Sequence, residues 1–427
     1  MAKKQPGKNK RGFVLPLVVT MVVLLSVVGL GLLRLGLSAR VHAARSTAEM
    51  SARAAADAGF TKAIYEMNKN LNIKPWNFSN VALTADRMLS SANADYTYTI
   101  EEIEADSEYE ITSTGRSGRA VKTVSATVRL QGLFDYAVSA AGYAIPKRPK
   151  EPKVPGRPKP LKKGGKIEVK GYNVQSYSSG GEEYSGALQL RTNSKHKRVV
   201  KLRDNVIVDG DVIVGPGGDP DTAIELKDGA EITGDAYAAA EKTEPPAVTL
   251  PAPLENKPAQ TYDPGSPLSG VRRYTELKIK NEEQVINGNC RIYVEGDMKI
   301  EDNAKLIISE NASLELYVGG KFEIKKKSLG IENTSNIPEN LIIYGMDTCR
   351  KVKIENKQDF YGAVYAPFAK VEMKNSGDVY GAFVGWDVKL KRRKDEEHGT
   401  FYYDLSLRTG DVDDGGSRFT VRNWHEE

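Results

Sequence analysis

The chain has 427 residues, enough for two or three domains, and its 61 basic and 56 acidic side chains leave a net charge of only +5. That balance excludes a dedicated nucleic-acid binder, which concentrates its basic charge, so no nucleic-acid partner is expected. Two cysteines, Cys290 and Cys349, exclude a disulfide-stapled scaffold and a four-cysteine zinc site. Outside the cytoplasm they are a candidate disulfide. Two isolated buried thiols satisfy the sequence equally, because a bridge needs a geometry that spacing does not give.

Residues 1–12 carry Lys3, Lys4, Lys8, Lys10 and Arg11 and no acid, and residues 13–33 carry no charge at all. A run of roughly 20 apolar residues matches the thickness of a bilayer core. Its basic flank keeps 1–12 in the cytoplasm and places everything after Arg34 outside, as a single-pass protein of the cytoplasmic membrane. A cleaved secretory signal has a shorter apolar core and a small-residue cleavage site beyond it, whereas here Arg34 and Leu35 follow directly.

Residues 34–72 are rich in Ala, Arg, Glu and Met and lack proline until Pro75, which predicts a stalk helix continuing out of the membrane. Membrane and stalk segments together make some 58 residues, about 87 Å of helix. Ala44, Ala48, Ala52, Ala55, Ala56 and Ala63 recur at helical spacing and form a small-residue packing face.

Arg11-Gly12-Phe13 ahead of the apolar run resembles the processing site of type IV prepilins. The segments RGFVLPLVV, SARVHAARSTAEM and ARAAADAGFTKAIYEMN are similar to the N-terminal domain of PilX-type minor pilins, over about residues 10–72. The resemblance implies cleavage by a prepilin peptidase between Gly12 and Phe13. It also implies insertion of the helix among other pilins or pseudopilins, and a place on a pilus or the cell surface. One position departs from the major-pilin pattern: Leu17 stands where a glutamate pairs with the neighbouring subunit's N-terminus, which argues against a shaft subunit. Pro16 falls in the first turn of a cleaved helix, where a missing N–H costs little.

Alternating residues between 96 and 131, broken around Gly115–Gly118, predict an antiparallel meander of about three strands, a pilin-like module reaching from 75 to 145. Residues 146–166 hold six prolines and nine Lys/Arg and read as an extended linker. Its basic strip could touch lipid headgroups or an acidic surface polysaccharide.

From 167 to 408 short strands alternate with Gly/Asn/Asp turns, and Tyr361-Gly362-Ala363 returns 19 residues later as Tyr380-Gly381-Ala382. The G-D step of 208–215 recurs in 232–239. A period near 20 with two or three strands suits a right-handed β-solenoid-like domain, with a β-sandwich as the alternative. The end of this region also resembles β-helical domains found behind PilX-type helices and, more distantly, bactofilins. Residues 244–267 are proline-rich and read as a surface excursion, and 409–427 as a polar tail. The expected class is therefore α+β, mostly β.

No catalytic constellation is legible. His42, His196, His398 and His425 are scattered, Gly180-Gly181 and Gly319-Gly320 read as turns, and Asp219/Asp221 and Asp411/Asp413/Asp414 complete no calcium loop. We expect no enzyme, no cofactor and no metal. The leading expectation is a minor pilin or pseudopilin-like subunit of a type IV pilus or a type II secretion-like assembly, displaying a β-rich domain for assembly or adhesion. The alternative is an uncleaved anchored scaffold. A glycan-binding solenoid would show an exposed aromatic stripe, for which Tyr361, Tyr365, Tyr380 and Trp386 are the candidates.

Overall fold

The computed structural model describes residues 14–70, 81–82, 84–104, 108–142, 164–177, 188–393, 398–409 and 418–426. The chain is mostly β, with one long N-terminal helix, and divides into two units. Residues 1–129 and 419–427 make one unit and residues 130–418 the other, so the larger unit is an insertion within the smaller.

In the smaller unit, helix α1 (Val14–Asn70) runs unbroken for 57 residues. Strands β1 (Thr84–Leu89), β2 (Ala94–Glu104), β3 (Glu108–Ser117) and β4 (Ala120–Gln131) pair antiparallel in sequence order. The strand Arg418–Glu426 then joins the sheet beyond β4. Gly115 is not a turn residue but lies within β3, directly beneath the helix. A Cβ there would sit 2.0 Å from the Ala52 carbonyl oxygen and 2.4 Å from the Ala56 nitrogen. The helix can approach this closely only because both surfaces are small. Ser113 Oγ completes the contact by donating to the Ala56 carbonyl at 2.8 Å.

Two expected boundaries move. The expected polar tail, 409–427, contains the closing strand: Phe419 is buried edge-to-face against Tyr109 at 5.5 Å, and its N–H donates to Asn68 Oδ1 at 3.0 Å. The module expected to reach 145 gives way near 130, and Val138–Ala140 already belongs to the larger unit.

The larger unit consists of three parallel ladders, consistent with a β-solenoid-like winding and unlike the antiparallel hairpins of a sandwich. A typical coil gives one short strand to each ladder, as in Val271–Tyr274, Leu277–Lys280 and Glu283–Ile286, while the longer Ala363–Asn375 and Phe383–Arg392 each serve the first two ladders. The repeated Tyr361 and Tyr380 are register partners, as are Val364 and Phe383, and Val208 and Ile232. The repeated G-D step has a physical reason: the Asp side chain accepts a backbone N–H from the next coil. Asp211 takes that of Asp235, Asp297 that of Lys321 and Asp378 that of Thr400, each at 2.9 Å. Corners between the second and third ladders use left-handed Asp and Asn, at Asp204, Asn205, Asp228, Asn281, Asp302 and Asn303.

The order of coils in space is not the order in sequence. Winding starts at Val271–Tyr274 and climbs to Phe383–Arg392, on which Val138–Ala140 and Ile167–Lys170 stack. It then continues through Gln189–Thr192 and Asp211–Val214 to Ala236–Ala238. The chain therefore enters the stack in its middle, builds to one end, and returns along the first ladder to begin again at the other end. Nine steps of about 4.8 Å make a return of about 43 Å.

Residues 239–270 make that return, so the proline-rich stretch expected as a surface excursion is a strap. It is held by Arg191 to the Glu241 carbonyl (2.8 Å), Asn193 to the Thr243 carbonyl (2.6 Å), Tyr365 to the Pro246 carbonyl (2.7 Å) and Arg273 to the Glu255 carbonyl (2.7 Å).

Replacing Gly115 by valine forces apart helix and sheet. We expect a loss of at least about 2 kcal/mol from the smaller unit, read as faster amide hydrogen exchange in β2–β4. Unchanged protection there would contradict the close approach.

Candidate anchor helix and surface columns

The two halves of α1 differ in what they touch. From Leu15 to Leu37 every residue is exposed, and most are Leu, Val or Met, with Arg34 the sole charge. This stretch is long and apolar enough to cross a membrane, and no membrane-burying partner covers it among the described residues. Leu17 lies on this surface. Gly12 and Phe13 lie outside the described residues.

The outer half packs. Ala52, Ala55, Ala56 and Ala63 of the expected face are fully buried, Ala48 is half-buried, and Ala44 is exposed. The face thus begins near Ala48, where the helix first meets the sheet. Sequence reasoning missed Gly59, Phe60 and Met67 on the same face. Phe60 packs edge-to-face on Trp424 of the closing strand at 4.8 Å, and Gly59 sits against Ser113 and Tyr96. Their spacing continues the alanine pattern and was readable.

The aromatic candidates separate into two environments. On the first ladder the outward column reads Tyr293, Tyr317, Tyr344, Tyr365, Val384, Ser139, Arg191, Ile213, Tyr237. Tyr317 and Tyr344 stack at 4.7 Å, and Tyr365 is buried where the strap crosses. Trp386 is buried as well.

On the third ladder Tyr361, Tyr380 and Tyr402 are half-buried and stack ring on ring at 4.3 and 4.6 Å, nearly parallel, with Tyr177 meeting Tyr380 and Tyr402 edge-on. Their ring faces are turned to one another along the stack. A sugar platform needs those faces free, so the expected open stripe is not formed by this set.

The outward face of the second ladder is a lattice of charge. Glu301 is buried between Lys278 (2.7 Å) and Lys325 (2.5 Å), and these two hydrogen bonds hold its carboxyl down at about 2. Glu225 is gripped by Arg203 (2.7 Å), Lys201 and Arg198 (both 3.4 Å) and Lys227 (3.5 Å), with the Arg203 hydrogen bond again bringing it to about 2.

The remaining candidates stay apart. Cys290 and Cys349 are free and buried in different coils, and burial pushes each thiol up to about 11, so the candidate disulfide is not formed. Asp219 accepts the Asp221 N–H and caps a short helix, and Asp411, Asp413 and Asp414 lie outside the described residues, as do Gly180 and Gly181. Gly319 and Gly320 are a coil-to-coil contact, since a Cβ on either would lie within 2.4 Å of the Glu295 or Gly296 carbonyl oxygen. The four histidines are exposed and dispersed, and no group of metal-ligating side chains occurs among the described residues.

Two measurements follow. In the native protein neither thiol should react with a disulfide reagent, and both should react after denaturation; prompt reaction of either contradicts the burial. Because Glu225 and Glu301 have lowered folded-state values, the stability they give is present above the ordinary carboxylate range near 4.5 and is lost as pH falls toward about 2. Thermal melts should therefore be flat down to about pH 4.5 and drop below it, and Glu301→Gln should reduce that drop.

A family model described as Domain of unknown function (DUF7305) matches residues 255–410, which begin midway along the strap. No curated protein matches the chain. Among solved structures, the crystal structure of competence-associated pilin ComZ from Thermus thermophilus is similar at 12% identity, covering 89% of this chain and 98% of that chain. Its TM-score is 0.25, a likeness that carries no argument about fold or role.

Proposed function

We propose that this chain is a non-enzymatic minor pilin or pseudopilin-like subunit, anchored through α1 and displaying its β-rich unit outside the cytoplasmic membrane. The observation that carries the reading is the division of one continuous helix. The stretch from Leu15 to Leu37 is exposed and predominantly apolar with Arg34 its one charge, while the outer half buries alanines and a glycine on an antiparallel sheet. An apolar helix of this length is suited to lipid and to packing among other such helices. The sheet is the pilin-like module in this reading, and the larger unit is cargo inserted between β4 and the closing strand. At 289 residues, counted from 130 to 418, that insertion is too large to repeat along a tightly packed shaft, which fits a tip or surface subunit acting through assembly or adhesion. We take the winding as right-handed, the hand that parallel crossovers adopt.

Gly12-Phe13 is the proposed cleavage site and the prepilin peptidase the proposed processing partner. A surface polysaccharide is a weaker partner, because the tyrosine stack presents edges and hydroxyls and not ring faces. A second reading, an uncleaved envelope scaffold, is favoured by one observation: at one end of the coil stack the described strands are paired on one side only.

Mass spectrometry of the N-terminal peptide, from membranes and from sheared surface material, separates the two readings. A chain starting at Phe13 is expected. A chain retaining residues 1–12 in both fractions would overturn processing and leave the anchored scaffold.

A further inference from the structure

The two ends of the coil stack are finished differently. At the Val271 end the inward side chains Leu277, Ile279 and Ile286 are as buried as those in the middle, although no further coil lies beyond them. The strap covers them. Leu254 and Leu268 are buried in the core, and Tyr262 lies edge-on to Tyr274 at 5.9 Å and donates to Glu282 at 2.8 Å.

The opposite end has no such cover. Strands Ile224–Leu226, Glu231–Ile232 and Ala236–Ala238 pair on one side with Val200–Arg203, Ile207–Val208 and Asp211–Val214. None of the described registers gives any of the three a strand on its other edge. Core positions stand open there. Leu226 is 47% exposed where its register partner Leu202 is 0%, Ala236 is exposed above buried Val212, and Ile224 and Ile232 are only half covered. Tyr237 beside them is also exposed. Unpaired edges over a cut apolar core are a template for strand addition.

We propose that this open end pairs with the open end of a second copy of the chain, giving a closed dimer. Three features select that occupant. The open strands follow one another along the chain, one per ladder, so the end is a ramp rising by one coil. A two-fold axis through the middle strand, Glu231–Ile232, pairs that strand with its counterpart and exchanges the other two. The rise of one ramp then offsets the fall of the other, and all three pairs reach strand spacing together.

The side chains fit the same operation. Antiparallel pairing that keeps inward residues inward sets Ile232 against its own counterpart and Glu231 opposite Thr233. It sets small Ala236 and Ala238 opposite large Leu226 and Ile224, and the Tyr237 hydroxyl on the same face as Glu225. Finally, the strap buries the apolar core at the Val271 end and Gln260 bridges Tyr274 there, so a further copy meets no cut core and assembly stops at two without running on as a filament. The face is smaller than a standard interface, which makes the dimer weak and reversible.

The test uses the full chain in detergent or lipid nanodiscs. Ile232→Cys places two thiols across the axis, and Cys290 and Cys349 are buried and silent. Mild oxidation should give a covalent dimer, several-fold above that of a Glu283→Cys control on the capped coil. Adding Ala236→Lys, at an exposed position that tolerates a longer side chain, should remove most of it without lowering the melting temperature. A yield no greater than the control from folded protein, a ladder of species beyond the dimer, or cross-linking in whole membranes to a different protein would each overturn the proposal. None of these outcomes depends on whether the leader is cleaved.

Discussion

Strands inside the stack of the larger unit pair their backbone N–H and C=O groups with the coils above and below, and side chains such as Asn173 and Asn356 complete the ladders. A coil of short strands cannot bury its inward side chains alone, so the stack is stable only where each coil has two neighbours. The interior meets this condition with in-register columns of Val, Leu and Ile, and the side-chain Asp contacts between coils reinforce it. The ends cannot meet it by stacking. One is finished by the strap, whose prolines suit an extended path with few backbone donors. The other is left with open strands.

The same condition accounts for the outer surfaces. Identical register positions bring like residues together one coil apart, so tyrosines repeat as stacks and lysines would repeat as rows of like charge. Along the second ladder the rows are broken by Glu168, Glu225, Glu301 and Glu323, each bridged to cations on neighbouring coils. The tyrosine stack on the third ladder uses its ring faces internally. Columns that look like binding stripes when read along the chain thus serve the stack itself.

The smaller unit rests on a different constraint, the distance of closest approach between helix and sheet. Gly115 and Gly59 have no room for a side chain, and the alanines around them leave none to spare. The buried face of the helix begins near Ala48, and the stretch from Leu15 to Leu37 presents a largely apolar exposed surface. The exposed apolar stretch and the packing face are successive stretches of one element.

Much of this was legible in the sequence. The unbroken helix follows from composition and the lack of proline. The small-residue face follows from spacing, the antiparallel strands from alternation, and the coils from the 19-residue repeat and the G-D steps, all of which depend on neighbours within a few tens of residues. Ala44 fell outside the face because spacing cannot say where along a helix its partner begins.

Tertiary structure alone decided the rest. Strand Val138–Ala140 stacks on residues near 384, the closing strand pairs beyond β4 after an insertion of 289 residues (130 to 418), and residues 239–270 strap the stack. A parallel ladder accepts any strand of suitable pattern on its open edge. Periodicity therefore fixes that coils form, and only the closure of the whole chain fixes which coil lies on which and which end stays open.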